Sequence, residues 1–351
     1  MKPAIIISVL VAVVVVVAAA FIVLTNNPGD KKECDVVVTM GWEKEIIDRI
    51  SDDSLNVQVL MQENTSPHAA YTTTSTVEYL NNAKLFVKIG SGVEWEDSML
   101  EGVSFSTPTI SCMDLIEAAE EGGHEGHDHG EEEHAHEEDE HAGHDHGEEE
   151  HVHEEGEDAH GEEEHAHNHD SHVWASPEHL EFIAEGLAEK LKETFPDVAD
   201  KIDAHRYIHY MEHAVGVINS IITEKAPGQT IFVWHNAWNP LAAYMNEVAT
   251  ETLGTEYNED NPFLKIYSAE EAGGGDTPTI DTVQTMYSLG EGGKKTIYVS
   301  PFDTASQYRS LFEGEGFTVE EINPTAGAFI AELDKFAHSL HDLLDPLPAG
   351  S

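Results

Sequence analysis

Residues 230–249 read TIFVWHNAWNPLAAYMNEVA. Ile231 to Trp234 are β-branched or aromatic, the side chains a buried strand takes up. At His235 and Asn236 the apolar run stops at a polar tip. Asn239, Pro240 and the residues after them then read as a helix. A strand that ends at a histidine and runs into a helix is one step of an open α/β sheet. The same step recurs on both sides. Downstream come the strand FLKIYSA (263–269), the helix TPTIDTVQTMYSLGEGG (277–293), the strand KTIYVSP (295–301) and a closing helix, TAGAFIAELDKFAHSLHDLL (325–344). Upstream, DVVVTM (35–40), NVQVLM (56–61), KLFVKIG (84–90) and TPTISCM (107–113) read as strands. GWEKEIIDRIS (41–51) and TVEYLNNA (76–83) read as helices between them. Strands alternating with helices at this spacing imply parallel sheets covered by helices.

SPEHLEFIAEGLAEKLKETF (176–195) starts a helix with Ser176 as cap, Pro177 in the first turn and Glu178 behind it. A second helical pattern follows from Pro196 to Lys225 and stops before Ala226-Pro227-Gly228. The expected architecture is therefore α/β. A first lobe spans 35–195, a long helix over 196–226 bridges the lobes, a second lobe spans 227–345, and 346–351 form a tail. Each lobe has a mainly parallel sheet with flanking helices, and a cleft lies between the lobes.

The first lobe is interrupted between residues 121 and 170 by EGGHEGHDHGEEEHAHEEDEHAGHDHGEEEHVHEEGEDAHGEEEHAHNHD. Nothing larger than Val152 is aliphatic here, so the run cannot bury enough apolar surface to offset the entropy of ordering, and a disordered loop is expected. It holds 14 of the 23 histidines and 22 of the 68 acids of the chain, with no Lys or Arg. Neutral imidazole is the commonest protein ligand for zinc, copper and nickel, and the acids between concentrate divalent cations. The run points to metal.

The 351 residues carry a formal net charge of −51. That balance argues against nucleic acid and against an anionic lipid surface as partners. The start of the chain is apolar. AIIISVLVAVVVVVAAAFIVL, Ala4 to Leu24, is 21 uncharged residues behind Lys2, long enough at ~1.5 Å per residue to span a ~30 Å hydrocarbon core. Residues 1–34 thus read as an uncleaved anchor and tether, or as a signal removed near Ala18–Ala20, with the remainder outside the cytoplasm. Cys34 and Cys112 are the two cysteines. They form no C-x-x-C pair, and their spacing leaves disulfide pairing open.

Outside the run, three histidines share a setting. His68 lies in ENTSPHAAY after a strand, His172 in DSHVWASP where the run rejoins ordered sequence, and His235 at the strand end quoted above. In open α/β sheets ligands bind beyond the carboxyl ends of strands. SPHAAY, GSGVEWE, DSHVWASPE and TIFVWHNAW resemble the signature stretches of the metal-binding proteins of zinc and manganese ABC importers. The second-lobe stretch from Thr277 to Pro301 is similar as well, and the likeness runs over residues 35–345 in order.

That resemblance implies a non-enzymatic, extracytoplasmic protein that carries zinc as cargo between two lobes to an ABC permease. Its metal ligands would be His68, His172 and His235. Imidazole at the third position favours zinc over manganese, in keeping with nitrogen donors in a tetrahedral site. The family often supplies a carboxylate where this chain has Asn323, so the fourth place falls to water, to Glu63 or to another acid. Two other readings stand beside it. HYMEH, His209 to His213, matches the H-x-x-E-H pattern in which two histidines bind zinc and Glu212 activates water for peptide hydrolysis. The run alone would make a passive extracellular metal sink.

Overall fold

The three valines of Val36–Val38 (β1) are all buried, as expected for a central strand of a parallel sheet covered on both faces. A computed structural model of the chain describes residues 34–62, 65–67, 70–90, 93–124, 170–270, 279–290, 295–302 and 305–348. The anchor-like segment 4–24 lies outside these. Among the described residues no helix is long and apolar enough to cross a membrane.

From β1 the chain runs through α1 (Gly41–Ser51), β2 (Val57–Val59), α2 (Thr74–Asn82), β3 (Leu85–Lys88), α3 (Glu94–Leu100), β4 (Thr109–Ser111) and α4 (Cys112–His124). The four strands form one parallel sheet in the order β2-β1-β3-β4. After the run come a 3-10 turn at Val173–Ala175, α5 (Pro177–Thr194), a second 3-10 turn at Pro196–Lys201 and α6 (His205–Glu224). The second lobe continues with β5 (Gln229–Val233), α7 (Asn239–Leu253), β6 (Leu264–Ser268), α8 (Ile280–Leu289), β7 (Thr296–Val299), α9 (Ala305–Gly314), β8 (Thr318–Glu321) and α10 (Phe329–Leu343). Its sheet is also parallel, in the order β6-β5-β7-β8. The two lobes therefore repeat one topology. In each, the first strand sits inside with the second on one side and the third on the other, so the direction of winding reverses beside β1 and beside β5. That reversal opens a crevice at the carboxyl ends of the strands.

The two-lobed α/β architecture is the one the sequence predicts, with two differences in detail. The long helical pattern from Pro196 is not one helix. The chain breaks at Ile202–Ala204, because Ile202 is buried and the Asp203 N–H donates to the Ile50 carbonyl at the end of α1 (2.8 Å). Asp203 Oδ1 then accepts from the His205 N–H (3.1 Å) and starts α6. α6 packs on α1 and α5 as well as on α7 and α10, so it still lies between the lobes. The second difference is at the acidic run, whose first residues, Glu121 to His124, are the last turn of α4. Leu115 and Ile116 pack that helix into the core and carry it past the point where composition changes.

One apolar core passes through both lobes, and close backbone contacts join them. A Cβ on Gly41 would lie 2.6 Å from Gly327 Cα, so the start of α1 can approach the loop before α10 only as glycine. Glu45 Oε2 accepts from the Ile330 N–H (3.2 Å). Within the first lobe Glu96, the second acid of GSGVEWE, is buried and clamps two strand ends. It accepts from Ile89 and Gly90 N–H (both 3.0 Å) after β3 and from Thr39 Oγ1 (2.5 Å) after β1. Cys34 and Cys112 are both buried free thiols.

Candidate metal centre

His172 reaches the cleft because the chain around it is nailed down. Trp174, two residues on, is fully buried and stacks on Trp42 of α1 at 5.4 Å between ring centroids. Its Nε1–H donates to the Pro324 carbonyl of the second lobe (2.6 Å). Ser176 accepts from the His179 N–H and caps α5, with Pro177 in the first turn as the sequence predicts. His172 itself caps the 3-10 turn and accepts through its carbonyl from the Ala175 N–H (2.9 Å).

His235 lies two residues beyond β5. The ladder continues past the strand end, since the Trp234 N–H donates to Tyr298 O (2.8 Å) and the Glu270 N–H donates to Trp234 O (3.1 Å). In the β5–β6 register Val233 pairs with Ser268, so two residues further His235 stands level with Glu270.

The two rings meet across the cleft. His172 Nε2 and His235 Nε2 lie 3.1 Å apart, with ring planes at 71°. Each ring is held at its other nitrogen by a carboxylate. His172 Nδ1 is 2.7 Å from Asp170 Oδ1, and His235 Nδ1 is 2.5 Å from Glu270 Oε2. A carboxylate only accepts, so Nδ1 is the donor in both rings, and neutral imidazoles so held turn both Nε2 lone pairs toward one another, where a proton or a metal ion can stand between them. Zinc bonded to two nitrogens at ~2.0–2.1 Å in tetrahedral geometry holds them ~3.3 Å apart. The Nδ1–carboxylate arrangement is the one that orients ligating imidazoles and raises their basicity.

The site is half closed, with the His172 side chain 14% and that of His235 24% exposed. Burial works to raise the Asp170 pKa. The hydrogen bonds from the His172 ring and backbone oppose that, and the carboxyl is held below its ordinary value.

Of the residues the sequence put forward, the structure brings His172 and His235 together. His68 and Glu63 lie outside the described residues, as does nearly all of the histidine-rich run. Asn323 is occupied in a turn: its amide oxygen accepts from the Thr325 N–H (3.1 Å) and hydroxyl (3.0 Å), and its own N–H donates to Glu332 (2.9 Å). Sequence reading missed Asp170 and Glu270. Asp170 was within reach, two residues from a proposed ligand. Glu270 could have been found only by placing β6 beside β5. Among the described residues His209, Glu212 and His213 of the HYMEH stretch do not converge on one point. His209 Nδ1 pairs with Glu212 (2.7 Å) on an open helix face, both side chains are mostly exposed, and His213 turns to Asp334 instead.

Two lobes of one topology, meeting at an imidazole pair with one ring just beyond β5 and the other at the turn before α5, have the form of the metal-binding proteins that serve ABC importers. The sequence profile described as "ZnuA: Zinc-uptake complex component A periplasmic" matches residues 36–262, and the chain belongs to that family. Among solved structures, ZnuA is similar at 17% identity and a TM-score of 0.60, covering 89% of this chain and 99% of that one. The periplasmic zinc binding protein TroA from Treponema pallidum is similar at 14% identity and 0.59, with 89% and 99% covered. A manganese-bound periplasmic metal binding protein from Candidatus Liberibacter asiaticus matches at 12% and 0.57, with 88% and 99% covered. At these identities the likeness concerns the fold. Comparison with curated protein sequences gave no match.

Proposed function

We propose that this chain captures zinc outside the cytoplasm and hands it to the membrane permease of an ABC importer. The ion is held by His172 of the first lobe, His235 of the second and His68 from the loop after β2, with Glu63 or water in the fourth place. Residues 4–24 keep the protein at the membrane, or are removed on export. The observation that carries the reading is the opposed Nε2 pair, 3.1 Å apart, with each Nδ1 fixed by a carboxylate. The donors are nitrogens, which suit zinc better than manganese, whose preferred sites are rich in oxygen. An ion gripped from both lobes is bound when they are together and freed when they part, which is what a carrier requires.

The test is competitive titration of the full chain with zinc and manganese against a chromophoric chelator. The parent protein should show one tight zinc component above the weaker binding of the histidine-rich run. His235→Ala should weaken that component by more than ~100-fold, since losing even an outer partner of a ligand costs ~10–100-fold. His209→Ala should leave it in place. Tight binding that survives His235→Ala but not His209→Ala would overturn the assignment, and equal affinity for manganese would overturn its zinc part.

A further inference from the structure

On the far side of α6 the histidines serve a different arrangement. His213 Nδ1 lies 2.7 Å from Asp334 Oδ1 on α10. One turn along α10, His338 stacks over His213 with ring centroids 5.5 Å apart and planes within 19°. His213, Asp334 and His338 each offer one donor atom, and these donors all lie within 4.8 Å of one another. We propose that this trio is a second divalent-cation site, separate from the cleft, which takes zinc or a similar nitrogen-seeking ion and pins α10 to α6.

Geometry distinguishes the trio from an ordinary ion pair: Asp334 and His338 are four residues apart on α10 and so share a face, and His213 comes from the helix packed against it. His338 Nδ1 lies 2.9 Å from the Asp334 backbone carbonyl, an outer contact of the kind that holds ligating histidines, and it leaves Nε2 of that ring facing outward. The Asp334 carboxylate, now on His213 Nδ1, would exchange that bond for one to the ion.

The neighbouring pairs on this surface stop short of such a set. His209 has Glu212 (2.7 Å), and His341 has Glu224 (3.1 Å). Among the described residues the trio is the one group with three donors in range.

Zinc with ligands at ~2.0–2.1 Å would set the donors ~3.3 Å from one another, so the widest pair must close by at most about 1.5 Å. The His213 and His338 side chains are 74% and 54% exposed, so a rotamer shift meets little packing. The same exposure makes the site weaker than the cleft, because water competes for the ion and the rings lose freedom on binding. Water completes the coordination. Bound there, the ion ties the closing helix of the second lobe to the helix between the lobes.

Residue-resolved modification tests this on the full chain. Zinc sulfate is added stepwise, histidines are carbethoxylated with diethyl pyrocarbonate, and each site is quantified by mass spectrometry. When free zinc reaches about ten times the dissociation constant of the trio, the rates at His213 and His338 should both fall about tenfold. They should do so at higher zinc than His172 and His235. Asp334→Asn, a surface change, should move the zinc midpoint at His338 upward by at least about tenfold, and His213→Ala should do the same. His209 should keep its rate. Unchanged rates at His213 and His338 at zinc levels well beyond cleft saturation would overturn the proposal. So would protection that is indifferent to Asp334. The cleft histidines are read in the same spectra, so failure of that site and failure of this one appear separately.

Discussion

Replacing Glu270 asks whether the carboxylate behind His235 acts on the metal or only on the fold. Glu270 Oε2 lies 2.5 Å from His235 Nδ1 and keeps the lone pair of Nε2 aimed into the cleft. Glu270→Gln preserves shape and can still accept through its amide oxygen, but removes the charge that makes the imidazole a stronger donor. Glu270→Ala removes the orientation as well. Losing such a partner costs ~10–100-fold in metal affinity, with Gln expected near the lower end and Ala near the upper. In stability, zinc at ~1,000 times the parent dissociation constant adds ~4.1 kcal/mol. The same free zinc adds ~2.7 kcal/mol after a tenfold loss and ~1.4 kcal/mol after a hundredfold loss. At roughly 2–4 °C per kcal/mol for a chain of this size, the zinc-induced rise in Tm should shrink by about a third for Gln and about two-thirds for Ala. The assay is a thermal melt of parent and variants, each with and without zinc at fixed free concentration. The metal-free melts should nearly coincide. If Glu270→Ala lowers them as much as the zinc-loaded melts, the residue is structural and the reasoning fails. It fails too if the zinc shift is unchanged, and a loss beyond ~1,000-fold would make Glu270 itself a ligand.

Trp174→Phe removes the donor to the buried Pro324 carbonyl and should destabilise the chain by about 1–3 kcal/mol in denaturant melts. A variant as stable as the parent would show that this bond does not tie the lobes. Glu43 is wholly buried; desolvation first, and the charge of Glu96 second, push its pKa well above the ordinary carboxylate value. Its native state therefore holds a proton more tightly than the unfolded chain, so stability falls as pH rises through and above ~4.3, the unfolded value. Metal-free Glu43→Gln, neutral throughout, should gain on the parent in Tm between pH 4.5 and 7.5, and a gap moving the other way would refute this. Deleting residues 125–168 should keep the tight cleft zinc and the weaker site between α6 and α10 while losing the equivalents held by the run, and unchanged stoichiometry would make the run an acidic spacer.

How much of this was legible follows from how each element is buried. Strands covered on both faces, such as Val36–Val38 and Ile231–Val233, read as apolar runs and were placed from sequence. β8, Thr318–Glu321, did not, because it is an edge strand whose outer residues are exposed and whose inner pair is half-buried. Among the described side chains of α9 Phe312 is the one large group fully buried, which leaves the helix too little pattern to declare itself. Helical spacing placed His209, Glu212 and His213 on one helix. It carried nothing about α10, which decides that His213 turns to Asp334 and not to a catalytic glutamate. Glu270 was hidden for a similar reason. Its link to His235 spans 35 residues and exists only because β6 is the neighbour of β5, a fact of strand order.

That strand order also bears on release. The orienting bond on each ring comes from its own side of the cleft: Asp170 is two residues from His172, and Glu270 is on the strand beside His235. Parting the lobes would therefore leave both imidazoles aimed and both Nε2 lone pairs formed, at a separation no single ion can bridge. The lobes have other ties, among them Trp174 to Pro324, Glu45 to Ile330 and the contact of Gly41 with Gly327. Those bonds favour the joined state whether or not metal is present, so the ion need supply only part of the closing free energy. A partner that prises them apart would then weaken metal binding by the same factor as metal opposes the prising, as linkage demands. For a carrier this division is useful, because capture needs no folding of the site and release needs no chemistry at it.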